Sequence, residues 1–299
     1  LGQSFNFYFA QANWYADEFR KAIAAGLKAA AETGGSTTTW VMNNHDVPRS
    51  PSRYGLPQVK GAPYHQLPHD WLLRNGTTYP EDRELGTRRA RAAALMELGL
   101  PGAAYIYQGE ELGMTNRKCR DFSDFRDIEI KNAYRDFAGG GILDEETMLK
   151  FVNAIGRDNA RFPMHWDDSD NAGFTTGTPW ISVNENYKKI NAAAQVNDPD
   201  SIFSYYKELI ELRHQMEIIV YGVYKSKAIE HPDVFAYTRT LGDEKLFVVC
   251  NFREQEMDFT LEDGFTGDEK VMISNYDDVV KTENGIYLRP YEAKVFYRK

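Results

Sequence analysis

The sequence has 299 residues, 42% of them hydrophobic, 26% charged and 13% aromatic; these proportions exclude a disordered, collagen-like or disulfide-scaffold chain and leave material for one large domain or two. With 35 Lys and Arg against 44 Asp and Glu, the formal charge is −9, which argues against a broad phosphate-binding surface and so against a nucleic-acid partner. No apolar run approaches the roughly 18 residues of a membrane helix, so no membrane partner is expected.

In chain order, Ser4–Phe9 (SFNFYF) is aromatic and reads as a strand. Asp17–Ala31 carries Phe19, Ile23, Ala24, Leu27 and Ala31 at helical spacing, and Gly34 with Gly35 closes that helix. Thr37–Met42 (TTTWVM) is a buried-strand pattern that turns polar at once, in Asn43-Asn44-His45-Asp46. Such a run is how a parallel strand delivers side chains to a mouth at its carboxyl end. Residues 47–82 form a long loop with six of the 12 prolines, and the aromatics Tyr54, Tyr64, Trp71 and Tyr79 favour an ordered one. Asp82–Leu98 is helical up to Gly99, and Ala103–Tyr107 is a second apolar strand running into Gln108-Gly109-Glu110-Glu111. Strand, helix, strand, loop, helix, strand is a right-handed βα series, which parallel strands require.

A charged, helix-rich excursion follows from Phe122 to Ile155, broken at Gly139-Gly140-Gly141, and Asp200–His214 is an amphipathic helix. From residue 219 the period changes to strands: Val220–Tyr224, Val234–Thr240, Lys245–Phe252, Met257–Leu261, Val271–Ser274, Gly285–Leu288 and Ala293–Tyr297. Gly242-Asp243 joins two of them as a hairpin, and the whole reads as a small antiparallel sandwich. Cys119 and Cys250 are too few and too distant for a disulfide framework and fit a reducing, cytoplasmic compartment. Leu1-Gly2-Gln3 has no leader pattern and reads like the inside of a fold, so a preceding segment is expected.

The strongest chemical signal is Asn43-Asn44-His45-Asp46-Val47-Pro48-Arg49. A carboxylate beside an imidazole and near an Arg suits adjacent sugar hydroxyls, which need paired donors and acceptors. The alternative is a plain turn or cap, since Asn and Asp favour both. His65 and His69 are four apart, but Pro68 between them argues against a helical metal pair. There is no HExxH, CxxC, phosphate loop or GxSxG elbow.

NNHDVPR, with Tyr105-Ile106-Tyr107-Gln108-Gly109-Glu110-Glu111-Leu112-Gly113-Met114 after it, resembles the retaining α-glucosidases of the α-amylase superfamily, above all bacterial α-glucosidase and oligo-1,6-glucosidase. Phe125-Arg126-Asp127-Ile128-Glu129, Gly156-Arg157-Asp158-Asn159-Ala160-Arg161-Phe162-Pro163-Met164-His165-Trp166-Asp167 and Asn171-Ala172-Gly173-Phe174-Thr175-Thr176-Gly177-Thr178-Pro179-Trp180 extend the match from Ser4 to the end. The resemblance implies an α/β fold: a partial (β/α)8 TIM barrel over residues 1–218, with Ser4–Phe9, Thr37–Met42 and Ala103–Tyr107 as strands six to eight. A C-terminal antiparallel β-sandwich follows over 219–299.

In that family the carboxylate nucleophile and acid, roughly 5–5.5 Å apart in retaining enzymes, follow strands four and five and have no counterpart here. The resemblance implies that Asp46 is the third carboxylate, a transition-state stabiliser on the 2- and 3-hydroxyls of the sugar in the −1 subsite, with His45 and Arg161 as substrate-binding neighbours. It implies no cofactor and no metal in this part, short α-glucosides as substrate, and the missing N-terminal barrel portion as partner. On that reading the lone chain is inactive. The alternatives are a non-catalytic interaction or scaffold protein on the same fold, or a recombined or engineered chain; residues 1–104 resemble an actinobacterial-type α-glucosidase, whereas those after 110 resemble oligo-1,6-glucosidases of low-GC bacteria.

Two segments imitate the missing acids. Asp263-Gly264-Phe265-Thr266-Gly267-Asp268 lacks the Arg of the nucleophile motif and lies between β strands, so it reads as a turn. Glu110 follows a different strand from the acid and reads as structural. Where the family has Gln, this chain has His165, which reads as packing and takes no role. Trp71, Tyr79 and Trp180 could stack on sugar faces, although single aromatics are more often core.

Overall fold

A computed structural model describes residues 3, 5–34, 37–61, 82–276, 278–283 and 285–299. His65, His69, Tyr64, Trp71 and Tyr79 lie outside the described residues. Contacts group the chain into two compact units: Leu1–Met42, Arg88–Tyr105 and Tyr206–Lys299 form one, and Asn43–Thr87 with Ile106–Tyr205 the other.

In the first unit, β1 (Thr39–Val41) pairs in parallel with β2 (Ala103–Tyr105), Thr39 opposite Ala103 and Val41 opposite Tyr105. The helix Arg83–Leu98 lies between them in the chain order of a crossover, and the helix Ala16–Glu32 precedes β1. The latter buries Ala16, Phe19, Ala22, Ile23 and Gly26, the single stripe that 3.6-residue spacing produces, and places Asp17 and Glu18 at its positive end.

The strand expected at Ser4–Phe9 is overturned: Phe7–Gln11 is a short helix. Alternation would put Phe5, Phe7 and Phe9 on one face, yet they are 53%, 52% and 0% exposed. Asn6 decides the matter, because its side chain accepts the Phe9 N–H as an N-cap while its own N–H donates to Thr39 Oγ1. Phe9 then packs edge-on against Phe19 and Trp40, with ring centroids 5.4 and 5.7 Å away. Among the described residues the parallel sheet therefore has two strands, not three.

The C-terminal strands form two antiparallel sheets. One has the order β3 (Val223–Lys227), β4 (Val234–Leu241), β5 (Glu244–Asn251), β10 (Ala293–Arg298), β7 (Lys270–Ser274). The other has β6 (Met257–Phe259), β9 (Gly285–Leu288), β8 (Val280–Thr282). Val234, Phe247 and Phe296 of the first meet Phe259, Ile286 and Leu288 of the second in one apolar cluster, the interleaving expected of a sandwich. Val220 belongs to a helix, Glu217–Tyr221, and not to the strand expected there; β3 starts only after Gly222, whose N–H closes that helix on Ile218.

The second unit has little regular structure and is held by side chains that satisfy backbone groups. Inside the expected loop 47–82, Ser50–Tyr54 is a helix with Pro51 in its first turn. The excursion after Phe122 contains helices Ile128–Ala133 and Glu145–Ile155 around a core of Phe125, Ile130, Met148, Phe151 and Val152. No helix among the described residues is long and apolar enough to cross a membrane.

Candidate active-site segment around Asp46

The segment 43–49 continues directly from β1, and its two asparagines build its shape. Asn43 Oδ1 accepts from Ser50 N at 2.8 Å and Ser50 Oγ at 2.6 Å, and Asn44 Oδ1 accepts from Asp46 N at 2.7 Å. The turn reading and the chemical reading thus apply to different residues. The asparagines make the turn; His45 and Asp46 are what it presents, with side chains 67% and 42% exposed. His45 Nε2 lies 3.3 Å from Asp46 Oδ2.

Arg49 anchors the segment. It is 2% exposed and donates to the carbonyls of Gln108 at 2.7 Å and Ala160 at 3.2 Å, while its cation lies 4.9 Å from the centre of the Phe162 ring. Burial lowers its pKa to about 10, so it remains a cation at neutral pH. One guanidinium therefore ties the NNHD turn, the stretch after β2 and the motif at 156–167 together.

The helix Asp158–Arg161 and the residue before it bring two further guanidinium groups to Asp46. Arg161 donates from Nη2 to Asp46 Oδ1 at 2.7 Å and from Nε to the His45 carbonyl at 2.9 Å. Arg157 Nη1 lies 3.7 Å from the same carboxylate oxygen. Arg157 also grips Asp127 with two bonds, Nε to Oδ2 at 2.7 Å and Nη2 to Oδ1 at 2.6 Å, the fork geometry that Lys cannot reproduce. Burial acts to raise the Asp127 carboxyl, but the Arg157 bonds and the Glu129 N–H outweigh it and hold the group below its ordinary value. Asp158, 2% exposed, accepts the N–H groups of Arg126 at 2.5 Å and Asp127 at 3.0 Å.

The structure thus brings His45, Asp46 and Arg161 together. It also adds Arg157, Asp127, Asp158 and Glu129, to which the sequence reading assigned no role, and it places Arg49, read from the sequence as the cation near the carboxylate, on the carbonyls of Gln108 and Ala160. The four added residues fall inside the motifs that carried the resemblance, which was the available signal.

The other candidates separate cleanly. Glu110 is 7% exposed and its carboxylate accepts the Tyr107 N–H at 3.2 Å, closing its own turn. Asp263 and Gly264 have φ of +58° and +76° in a turn between β6 and β7, and Asp263 pairs with Lys227 at 2.6 Å. His165 is wholly buried, with Nδ1 2.8 Å from the Ile190 carbonyl, and burial lowers its pKa to about 4. Trp180 is 67% exposed.

A profile described as "Alpha amylase, catalytic domain" matches residues 67–222, just over half of the chain. The chain belongs to the α-amylase family. A second profile, "Alpha-amylase SusG C-terminal domain", matches residues 234–295, within the antiparallel sheets. The chain is 43% identical to the oligo-1,6-glucosidase of Parageobacillus thermoglucosidasius over 85% of its own length and 41% of that protein's. It is 37% identical to the trehalose-6-phosphate hydrolase of Bacillus subtilis over 92% and 45%. Among solved structures it resembles the trehalose-6-phosphate hydrolase of Bacillus licheniformis, with TM-score 0.80 and 35% identity, covering 99% of this chain and 51% of that one. The isomaltulose synthase of Erwinia rhapontici is similar, with TM-score 0.78 and 33% identity over the same shares. This α-amylase-family chain spans about half the length of the relatives it matches.

Proposed function

We propose that the chain is the C-terminal portion of a retaining α-glucosidase that hydrolyses terminal α-glucosidic bonds in short oligosaccharides. Residues 1–218 would supply the last part of the barrel, strands seven and eight being β1 and β2, and residues 219–299 the C-terminal β domain. Asp46 would accept the 2- and 3-hydroxyls of the sugar in the −1 subsite, His45 would donate to them, and Arg161 would hold Asp46 in place. Hydrogen bonds to the 2-hydroxyl that tighten at the transition state contribute several kcal/mol in such reactions.

The observation that carries the reading is the Arg161–Asp46–His45 constellation, with the Asp46 carboxylate 2.7 Å from one guanidinium and 3.3 Å from an imidazole. The nucleophile and the acid would come from a separate N-terminal barrel portion, in a cytoplasmic setting. The named activities of the similar proteins support an α-glucoside as substrate. They split between oligo-1,6-glucosides and trehalose 6-phosphate, so the linkage is left open.

The test is the release of nitrophenol from a nitrophenyl α-glucoside. The chain alone should release none, and the chain mixed with a separately produced N-terminal portion should release it. A folded mixture with no activity would favour the scaffold reading.

A further inference from the structure

Arg157 is arranged differently from Arg161. Its Nε and Nη2 edge lies on Asp127, whose side chain is 1% exposed. Asp127 is anchored in turn, since its N–H is held by Asp158 at 3.0 Å and its Oδ1 accepts the Glu129 N–H at 3.0 Å. The guanidinium plane is therefore fixed from the buried side, and one nitrogen is left facing outward. That nitrogen, Nη1, lies 3.7 Å from Asp46 Oδ1 and 3.3 Å from Glu129 Oε1. By these two distances the carboxylates of Asp46 and Glu129 are no more than 7.0 Å apart. One follows a strand and the other opens the helix Ile128–Ala133, so a single nitrogen joins two elements far apart in the chain.

We infer that Arg157 is a positioning residue: locked to Asp127, it sets where the Asp46 carboxylate stands and couples that position to Glu129. The inference rests on Asp46 being an acceptor of sugar hydroxyls. A Lys in place of Arg157 keeps the charge but can hold Asp127 or reach outward, not both. Glu129, 69% exposed, acts through Arg157 by competing for Nη1.

The test is a titration of the 299-residue chain with methyl α-D-glucopyranoside, read from the amide NMR shifts of His45 and Asp46. Four proteins are compared: wild type, Arg157→Lys, Glu129→Gln and the double variant. Arg157→Lys should weaken binding roughly tenfold, and Glu129→Gln should change it by about threefold or more, both within the range of couplings between contacting residues. In the Arg157→Lys background Glu129→Gln should change nothing, an outcome that a merely structural Arg157 would not produce. Asp127→Asn, which releases the fork and keeps the cation, should reproduce the Arg157→Lys loss and replaces that variant if it does not fold. Wild-type binding in these variants, or an equal effect of Glu129→Gln in both backgrounds, would overturn the inference. A folded wild-type chain that ignores the glucoside would also overturn it, and would leave the mixing test of the proposed activity standing.

Discussion

Arg161 holds Asp46 at two points, donating to its carboxylate at 2.7 Å and to the carbonyl of the residue before it at 2.9 Å. Side chain and backbone of the NNHD turn are thereby fixed by one planar group. Asp46→Asn in the assembled enzyme should lower kcat/KM by about a thousandfold, the scale of a lost transition-state contact. Because the partners are partly exposed, the same change should alter folding stability by less than about 1 kcal/mol. Steady-state kinetics together with urea unfolding check both halves.

Asp158 should behave in the opposite way. Its buried carboxylate satisfies two backbone N–H groups, those of Arg126 and Asp127. Asp158→Ala would strand both and should cost about 3 kcal/mol. Urea denaturation should show the midpoint falling at unchanged slope.

His165 predicts an acid sensitivity. Burial holds the folded imidazole's pKa at about 4, against 6.5 for the ordinary group. The unfolded chain therefore takes up the proton first. Stability is fully present above about pH 6.5 and is lost as the pH falls toward 4, by up to about 3 kcal/mol. His165→Gln, whose amide can still donate to the Ile190 carbonyl, should remove this part of the slope. Equal slopes between pH 7 and 4.5 in the two proteins would contradict the assignment.

Gly26 tests the packing of the first unit. A Cβ there would stand 2.3 Å from Asn6 Nδ2 and 3.3 Å from the Trp40 ring. Gly26→Ala gains about 1 kcal/mol of helix propensity but forces the Asn6 cap aside, and the overpacking should cost about 1–3 kcal/mol. A lowered Tm is expected; a raised one would show that Asn6 yields without cost.

The sequence made some of this legible and hid the rest for identifiable reasons. Asp46 stood out because the apolar run of β1 ends abruptly in polar residues. The helix Ala16–Glu32 was readable because a long amphipathic stripe has only one interpretation. Phe5-Asn6-Phe7-Tyr8-Phe9 was not, since a short aromatic run fits either period and the Asn6 cap decides between them. β8, Val280–Thr282, is short and largely exposed and so lacked the burial alternation that marks a strand. The Arg157–Asp127 fork joins residues 30 apart, and no period records which guanidinium meets which carboxylate.

Proton NMR of the sugar released from an α-glucoside tests the central claim most directly. The 299-residue chain mixed with an N-terminal barrel portion should release α-glucose first, and the chain alone should release nothing. Hydrolysis of the glucoside by the 299-residue chain alone would contradict the account.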